Sequence, residues 1–363
     1  YAFVTRRVDV TAGSADLCDV RLNRESAAVA ERVEVRGAQT RDPAPARTLT
    51  KADLETLSMV IVDDPLRSVH ALPGVAANND LKAEFSLRGA GFDQVGVHVD
   101  GVRTGGFVHL LSDSGTTDQL SLSVVNQDTL ASAALTPGVN DARTGGVTAG
   151  ALALDTREGN RDRLTAHLST GFIVTSGVLE GPLPRERGAW LLGGRTTRLD
   201  SLQQAVDRVA GTNDDDNGSD LAFGDVIGKT VIDLSARHQI IASWLAGAFT
   251  NDERDGSGAK SSNRLGSVAW RAVMNGRLFT RVQGFFLSTA YREHDTVRPV
   301  TLEDGQQGAG VRADVTFQVT SAHQLQAGIY AQRVHAHAGG VESLAAFDAT
   351  RSEPSWYVQD RWT

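Results

Sequence analysis

Val311-Arg312-Ala313-Asp314-Val315-Thr316-Phe317-Gln318-Val319-Thr320 alternates throughout: its odd positions are apolar and its even positions polar or charged. Successive side chains of an extended strand point to opposite faces, so this stretch reads as a strand with one dry and one wet face. Gln324 to Gln332 repeats the pattern. Arg163 to Thr170 does so too, with Leu164, Ala166 and Leu168 on one face and Arg163, Thr165, His167 and Ser169 on the other.

The connections between such strands are unequal, and the inequality alternates. Short ones fall at Pro184 to Gly188, Ser235 to His238, Asn275-Gly276 and Ser321 to His323. Long polar ones fall at Asp200 to Asp220, Asn251 to Asn263, Glu293 to Gln307 and Gly339 to Glu353. Asn-Gly is the favoured pair for a two-residue hairpin turn, which predicts one at Asn275-Gly276. About ten strands of ~10 residues, with short turns at one end and long loops at the other, is the pattern of a membrane-spanning barrel. A soluble β-sandwich alternates as well, but its strands are usually ~5–6 residues long with turns every ~8–12 residues. The longer strands and paired spacing favour the barrel.

Upstream the chain is organised differently. Phe3 to Leu22 alternates around the turn Ala12-Gly13-Ser14 and reads as strands. A polar stretch to Arg47 follows, with Arg41-Asp42-Pro43-Ala44-Pro45 as a linker and one short extended piece, Glu31-Arg32-Val33-Glu34-Val35-Arg36-Gly37. Thr50, with Asp53 three residues on, forms a capping-box pattern. Asp64-Pro65 starts a second helix that Pro73-Gly74 ends. Glycine is then dense from Gly89 to Gly106 and from Gly138 to Gly150, which reads as a compact α+β unit with tight turns at Gly89, Gly91 and Gly101.

Composition excludes several functions. The net charge of −8 over 363 residues leaves no basic face for nucleic acid. One cysteine, Cys18, forms no internal disulfide and reads as a small buried side chain. No run approaches the ~20 apolar residues of a membrane helix; the longest, Ile240 to Phe249, is interrupted by Ser243 and Gly247. Tyr1 is not an initiator methionine and no leader with an apolar core precedes the fold, so the chain is expected to be a mature or partial segment.

Gly224-Asp225-Val226-Ile227-Gly228-Lys229-Thr230 looks like a phosphate loop but is one residue short, because Phe223 stands where the earlier glycine is needed. A strand with Lys229 facing inward is the better reading. Gly89-Ala90-Gly91 lacks the third glycine of a dinucleotide fingerprint. His335 and His337 sit on one strand face but read as solvated residues, not metal ligands. Asp214-Asp215-Asp216-Asn217-Gly218 lacks full calcium-loop spacing and reads as a solvated acidic loop. With no nucleophile beside a placed base, neither enzyme activity, cofactor nor metal is expected.

Read in order, several segments resemble the TonB-dependent receptor family. Asp64-Pro65-Leu66-Arg67-Ser68-Val69-His70-Ala71-Leu72-Pro73-Gly74-Val75 is similar to the helix of the plug domain that ends in Pro-Gly-Val. Ser86-Leu87-Arg88-Gly89 and Val97-His98-Val99-Asp100-Gly101-Val102 resemble the Arg-Gly and Asp-Gly-Val signatures of the plug sheet. Pro137-Gly138, Gly145-Gly146-Val147 and Gly150 to Asp155 resemble its closing strands. Glu180-Gly181-Pro182-Leu183 with Trp190 to Asp200 resembles the first barrel hairpin, and Trp356-Tyr357-Val358-Gln359-Asp360-Arg361-Trp362 a later strand.

The resemblance implies a mainly β chain: an α+β plug domain followed by an antiparallel transmembrane β-barrel that is incomplete. Residues 1–24 would be the end of a carboxypeptidase-regulatory-like β-domain, 25–47 a linker, 48–160 the plug and 161–363 the N-terminal part of the barrel. About ten of the ~22 strands of such a barrel are present, so the natural protein is expected to continue past Thr363. Glu31, Arg32, Val33, Glu34, Val35, Arg36 and Gly37 sit where the family keeps its TonB box, an extended segment that pairs with an edge strand of TonB. Pro73, Gly74, Arg88, Gly89, Asp100 and Gly101 are expected to be structural, with Arg88 and Asp100 pairing charges inside the lumen. Ligand contact is expected at the plug's apical loops, near Asn78 and Asn79 and near Arg103 and His109. Trp190, Trp244, Trp270 and Trp356 are candidates for interfacial girdle residues or for packing.

The implied function is import of a scarce solute (a siderophore, cobalamin, an oligosaccharide or a peptide) across the outer membrane of a Gram-negative bacterium. The partners would be outer-membrane lipid and TonB with its inner-membrane energising complex, with no nucleic acid. The alternatives are a β-rich surface binding module and a receptor that signals without transport. A hydrolase built around Lys229 would be revealed by nucleotide-dependent turnover.

Overall fold

A computed structural model describes residues 46–57, 64–77, 82–105, 107–111, 120–138, 142–171, 174–197, 219–253, 256–297, 300–340 and 346–362. The strands expected at 3–22, the segment 31–37, Asn78, Asn79 and the acidic run 214–218 lie outside the described residues.

The first described part is a small inner unit. Its main sheet is built from β1 (Arg47–Thr50), β4 (Val95–Val99), β5 (Val102–Arg103), β8 (Leu130–Pro137) and β9 (Gly150–Thr156), in the order β1-β8-β9-β4-β5. Only β4 and β9 run parallel. Two short ribbons, β2 (Val75–Ala76) with β3 (Ser86–Leu87) and β6 (Val108–Leu111) with β7 (Leu120–Ser123), complete it.

Both helices start as their sequences predict. Helix α1 (Lys51–Leu57) follows a reciprocal cap in which the Thr50 N–H donates to Asp53 Oδ2 at 2.9 Å and Thr50 Oγ1 accepts from the Asp53 N–H. Helix α2 (Pro65–Val69) is capped by Asp64, whose carboxylate accepts from the Leu66 N–H at 2.8 Å and from the Ser123 N–H at 2.7 Å. It is shorter than the spacing of Leu66, Val69 and Leu72 suggests. The N–H groups of His70, Ala71 and Leu72 bond three residues back, tightening the last turn before Gly74 reverses the chain at φ +86°.

The Arg88-Gly89 and Asp100-Gly101 pairs are two-residue hairpin turns with positive φ at both positions. Gly91, also expected at a tight turn, has φ −67°. What it supplies is room, since a Cβ there would lie 2.5 Å from the Asp93 carboxylate.

The second part is one antiparallel sheet of ten strands in sequence order. Its strands are β10 (Thr165–Thr170), β11 (Val174–Pro182), β12 (Gly188–Thr197), β13 (Ser219–Ser235), β14 (His238–Glu253), β15 (Gly258–Val273), β16 (Leu278–His294), β17 (Leu302–Gln318), β18 (His323–Gly339) and β19 (Phe347–Trp362). This is an incomplete β-barrel wall. Val311, Val315 and Phe317 point outward, and Arg312 and Asp314 face the inner unit, as the alternation requires. The register carries this dry face across the sheet through Leu168, Leu179, Leu192, Val226, Trp244, Val268, Phe286, Val311, Ile329 and Trp356, all exposed. Inward, Val178, Leu191, Ile227, Leu245, Leu265 and Phe285 join the inner unit's Val124, Leu130 and Leu135 in one core.

Two sequence expectations need correction. The long polar stretches partly extend the strands: Asn251 pairs with Ala259 and Asp252 with Gly258, so β14 and β15 run on as a polar hairpin, and β17 already begins at Leu302 within 293–307 and β19 at Phe347 within 339–353. The turn at Asn275-Gly276 is wider than two residues, since β15 ends at Val273 and β16 begins at Leu278. A two-residue turn there would set Leu265 opposite Phe286. The observed register sets it opposite Leu287, so that two buried leucines meet and Phe286 stays outside.

Candidate functional site: the inner unit against the wall

The wall grips the Asp100-Gly101 turn from three strands. Left-handed backbone at both residues turns their carbonyls outward, with φ +48° and +84°. Arg281 donates to the Asp100 carbonyl at 2.9 Å and Gln283 at 3.3 Å, while Arg312 donates to the Gly101 carbonyl at 2.9 Å. The Asp100 carboxylate meets Lys229 Nζ at 3.2 Å and accepts from the Thr156 N–H at 3.0 Å and the Thr156 hydroxyl at 2.7 Å. Lys229 also donates to the Thr156 carbonyl at 3.0 Å. Burial pushes the Asp100 carboxyl up, but Lys229 and the Thr156 donors outweigh it and hold the group below the usual carboxylate range. Lys229 is thus an inward strand residue that holds a carboxylate of the chain itself.

A second contact lies further along β13 toward the long connections. His109, fully buried on β6, meets Asp225 of the wall at 3.3 Å. Arg195 binds the same carboxylate at 2.7 Å and donates to the Ser123 carbonyl of β7. Phe223 lies under both, 5.3 Å from the His109 ring and 5.3 Å below the Arg195 guanidinium. A third set ties the chain leaving β9 to the wall: Arg157 with Glu180 at 2.7 Å, Arg271 with Glu158 at 2.8 Å, and Arg161 with Asp233.

Among the described residues, two cavities lie between the unit and the wall. One of about 280 Å³ is lined by Arg103, Arg143, Arg312, Tyr330, Glu353 and Tyr357. His98 borders it, and burial depresses its pKa to about 4 against a hydrogen bond that the ring donates to the Gly96 carbonyl, with Arg312 and Arg103 adding to the fall. The other, about 760 Å³, lies beside Asp100, Lys229, Arg271 and Arg281.

Of the residues expected to touch a ligand, Arg103 faces the smaller cavity and His109 is enclosed beside β13, so the structure does not bring the two together. Among the described residues no group of three His, Cys, Asp or Glu side chains is placed to hold a metal ion, and no helix is long and apolar enough to cross a membrane. His335 and His337 lie on the outward face of β18 with ring centroids 6.0 Å apart. Sequence reasoning missed Arg195, Asp225, Arg281 and Gln283. The available signal was a charged or amide side chain at the inward position of an otherwise alternating strand.

No protein-family model and no curated protein matches the sequence. Solved structures do match. The siderophore receptor PirA of Pseudomonas aeruginosa superposes with a TM-score of 0.58 at 14% identity, covering 87% of this chain and 52% of that one. The ferric enterobactin receptor PfeA of the same organism, as a mutant in complex with enterobactin, gives 0.63 at 12% identity over 89% of this chain and 56% of its own. The ferric citrate transporter FecA gives 0.59 at 14% identity over 87% and 53%. The chain spans about half the length of these proteins. It has the fold of a TonB-dependent receptor.

Proposed function

We propose that this chain is the plug, residues 48–160, and the first ten wall strands, within 161–363, of a TonB-dependent transport receptor of the Gram-negative outer membrane. The observation that carries the proposal is the polar lock around Asp100 and Gly101, set inside a wall whose outer face is apolar. An inner unit held by buried ion pairs does not leave a lumen by thermal motion. Removing one partner of a buried pair such as Lys229–Asp100 costs roughly 3–5 kcal/mol, and the partly buried pairs of Arg157, Arg161 and Arg271 add to it. Passage of a solute then needs work delivered from outside the barrel. The segment Glu31 to Gly37 supplies the handle: Val33 and Val35 favour an extended strand that adds to an edge of TonB.

The solute is a scarce nutrient complex that binds where the apical loops meet the lumen, with Arg103, Asn78 and Asn79 among the contacts. The proteins of like fold named above are receptors or transporters of siderophores, enterobactin or ferric citrate, which supports an iron complex over cobalamin, an oligosaccharide or a peptide. The proposal includes no catalytic step. A titration of a peptide covering residues 26–40 against the periplasmic domain of TonB, beside its Val33→Pro variant, tests the coupling. Saturable binding that proline abolishes supports it; no binding favours a β-rich binding module without transport.

A further inference from the structure

Three of the four short turns at the foot of the wall repeat one construction; the fourth, from β17 to β18, ends at Ala322, and its backbone bonds run to His323 of its own hairpin. The turn from β11 to β12 ends at Arg187, that from β13 to β14 at Arg237 and that from β15 to β16 at Arg277. The Arg187 carbonyl accepts from the Asp233 N–H at 2.8 Å, the Arg237 carbonyl from the Val273 N–H at 2.9 Å, and the Arg277 carbonyl from the Gln318 N–H at 2.8 Å. Each turn is thereby stitched to the foot of the next hairpin. All three side chains are exposed, and none has an ion-pair partner among the described residues. Glu186 is the one acid within these three turns, and Arg185 stands beside it.

Immediately above this rim the outward face carries tryptophan. Trp190 covers Gly181, Trp270 stacks on His238 at 5.7 Å with ring planes 11° apart, and Trp362 stacks on His323 at 5.5 Å and 17°. Tryptophan belongs where an apolar belt gives way to headgroups, because its ring is amphipathic and rigid. Arginine one turn beyond it stands at the depth of the lipid phosphates. The other end of the wall differs. There Lys260 pairs with Asp252 at 3.3 Å, Arg292 with Glu303 at 2.8 Å and His335 with Asp348 at 3.6 Å, and Arg264 and Arg333 stand singly further down β15 and β18.

We infer that the short-turn rim is a binding belt for anionic phospholipid headgroups, in which Arg187, Arg237 and Arg277 take the lipid phosphates below a tryptophan ring. The inference rests on the membrane-barrel reading given above. Charge complementarity selects the partner: unpaired cations in register along one rim suit a leaflet surface with net negative charge. The belt would fix the depth and tilt of the wall and so hold the foot steady while the inner unit is pulled.

The full protein, inserted into nanodiscs of phosphatidylethanolamine with a minor share of phosphatidylglycerol, is then extracted gently, and the retained lipid is identified by native mass spectrometry. Phosphatidylglycerol is expected to be enriched about threefold over the bulk, well within the ~1 kcal/mol that each arginine near a charged surface supplies. The triple variant R187Q/R237Q/R277Q should lose the enrichment, R237Q alone should lose part of it, and R264Q/R333Q should keep it. Equal enrichment in wild type and triple variant, loss in R264Q/R333Q instead, or displacement of the lipid by soluble glycerol phosphate would each overturn the inference. Insertion without any lipid preference sinks the belt and leaves the barrel standing. Failure to insert into lipid of either kind overturns both. If the triple variant does not fold, R237Q decides.

Discussion

Lys229 of the wall and Asp100 of the inner unit, 129 residues apart in sequence, meet at 3.2 Å with Thr156 bridging them. The pair is almost wholly buried, so its value lies in mutual compensation. Lys229→Met leaves the Asp100 carboxylate without its cation and is expected to destabilise the docked inner unit by about 3–5 kcal/mol. Adding Asp100→Asn should restore part of that. Hydrogen exchange at β4, β5 and β9 reads the effect; unchanged protection in Lys229→Met would show that the pair does not hold the unit.

The same pair sets a pH limit. The folded carboxyl titrates below its ordinary value of 3.8, so its contribution is complete above that pH and is lost only as pH falls through the lower folded value. His98 acts in a separate window. Its folded pKa of about 4 lies under the ordinary 6.5, so the unfolded chain takes up the proton first and stability falls as pH drops from 6.5 toward 4. The full loss is about 3 kcal/mol, at 1.36 kcal/mol per unit of pKa. Urea midpoints of the inner unit measured across that range should decline in the wild type and hold level, from this source, in His98→Phe.

Gly101 takes φ +84°, and a Cβ there would lie 3.4 Å from the Arg312 guanidinium. Gly101→Ala is expected to cost about 1–2 kcal/mol from the left-handed backbone alone and to loosen the Arg312 bond to the turn. Gly284→Ala, where nothing lies within 4 Å of the added methyl group, is the matched control and should be neutral. Chemical denaturation of the two variants side by side distinguishes them; equal behaviour would contradict the grip on this turn.

The outward belt predicts an asymmetry along a single strand. Val315→Arg places a charge on the dry face and should cost folding free energy in a bilayer, roughly 2–4 kcal/mol at the midplane and falling to about 0–1 kcal/mol toward the short-turn rim near which Val315 stands. Thr316→Arg, one residue on and facing the interior, should cost less. Folding yield into lipid vesicles measures both, and equal yields would argue against a lipid-facing belt.

Much of this was legible in the sequence, for identifiable reasons. The wall strands showed because a dry face against a wet one imposes period two, as in Val311 to Gln318. Their upper ends did not, because Asn251 to Glu253 and Gly258 to Asn263 are mainly polar on both faces and give no contrast. The Asn-Gly signal at 275–276 describes local turn preference, and burial of Leu265 against Leu287 overrode it. Asp100-Gly101 was readable as a tight turn, and Lys229 as inward-facing. Their meeting was not, nor was that of His109 with Asp225 and Arg195, since such contacts join segments remote in sequence. The short-turn arginines share no motif in the sequence; only the repeated carbonyl bonds align them.

The most direct test of the central claim is energised uptake. Cells making the full receptor take up a panel of radiolabelled ferric siderophores and ferric citrate, with and without a proton-gradient uncoupler and beside a Val33→Pro variant. The account predicts that at least one complex binds the surface in every case and enters only the energised wild type. Entry that neither the uncoupler nor Val33→Pro reduces would contradict it.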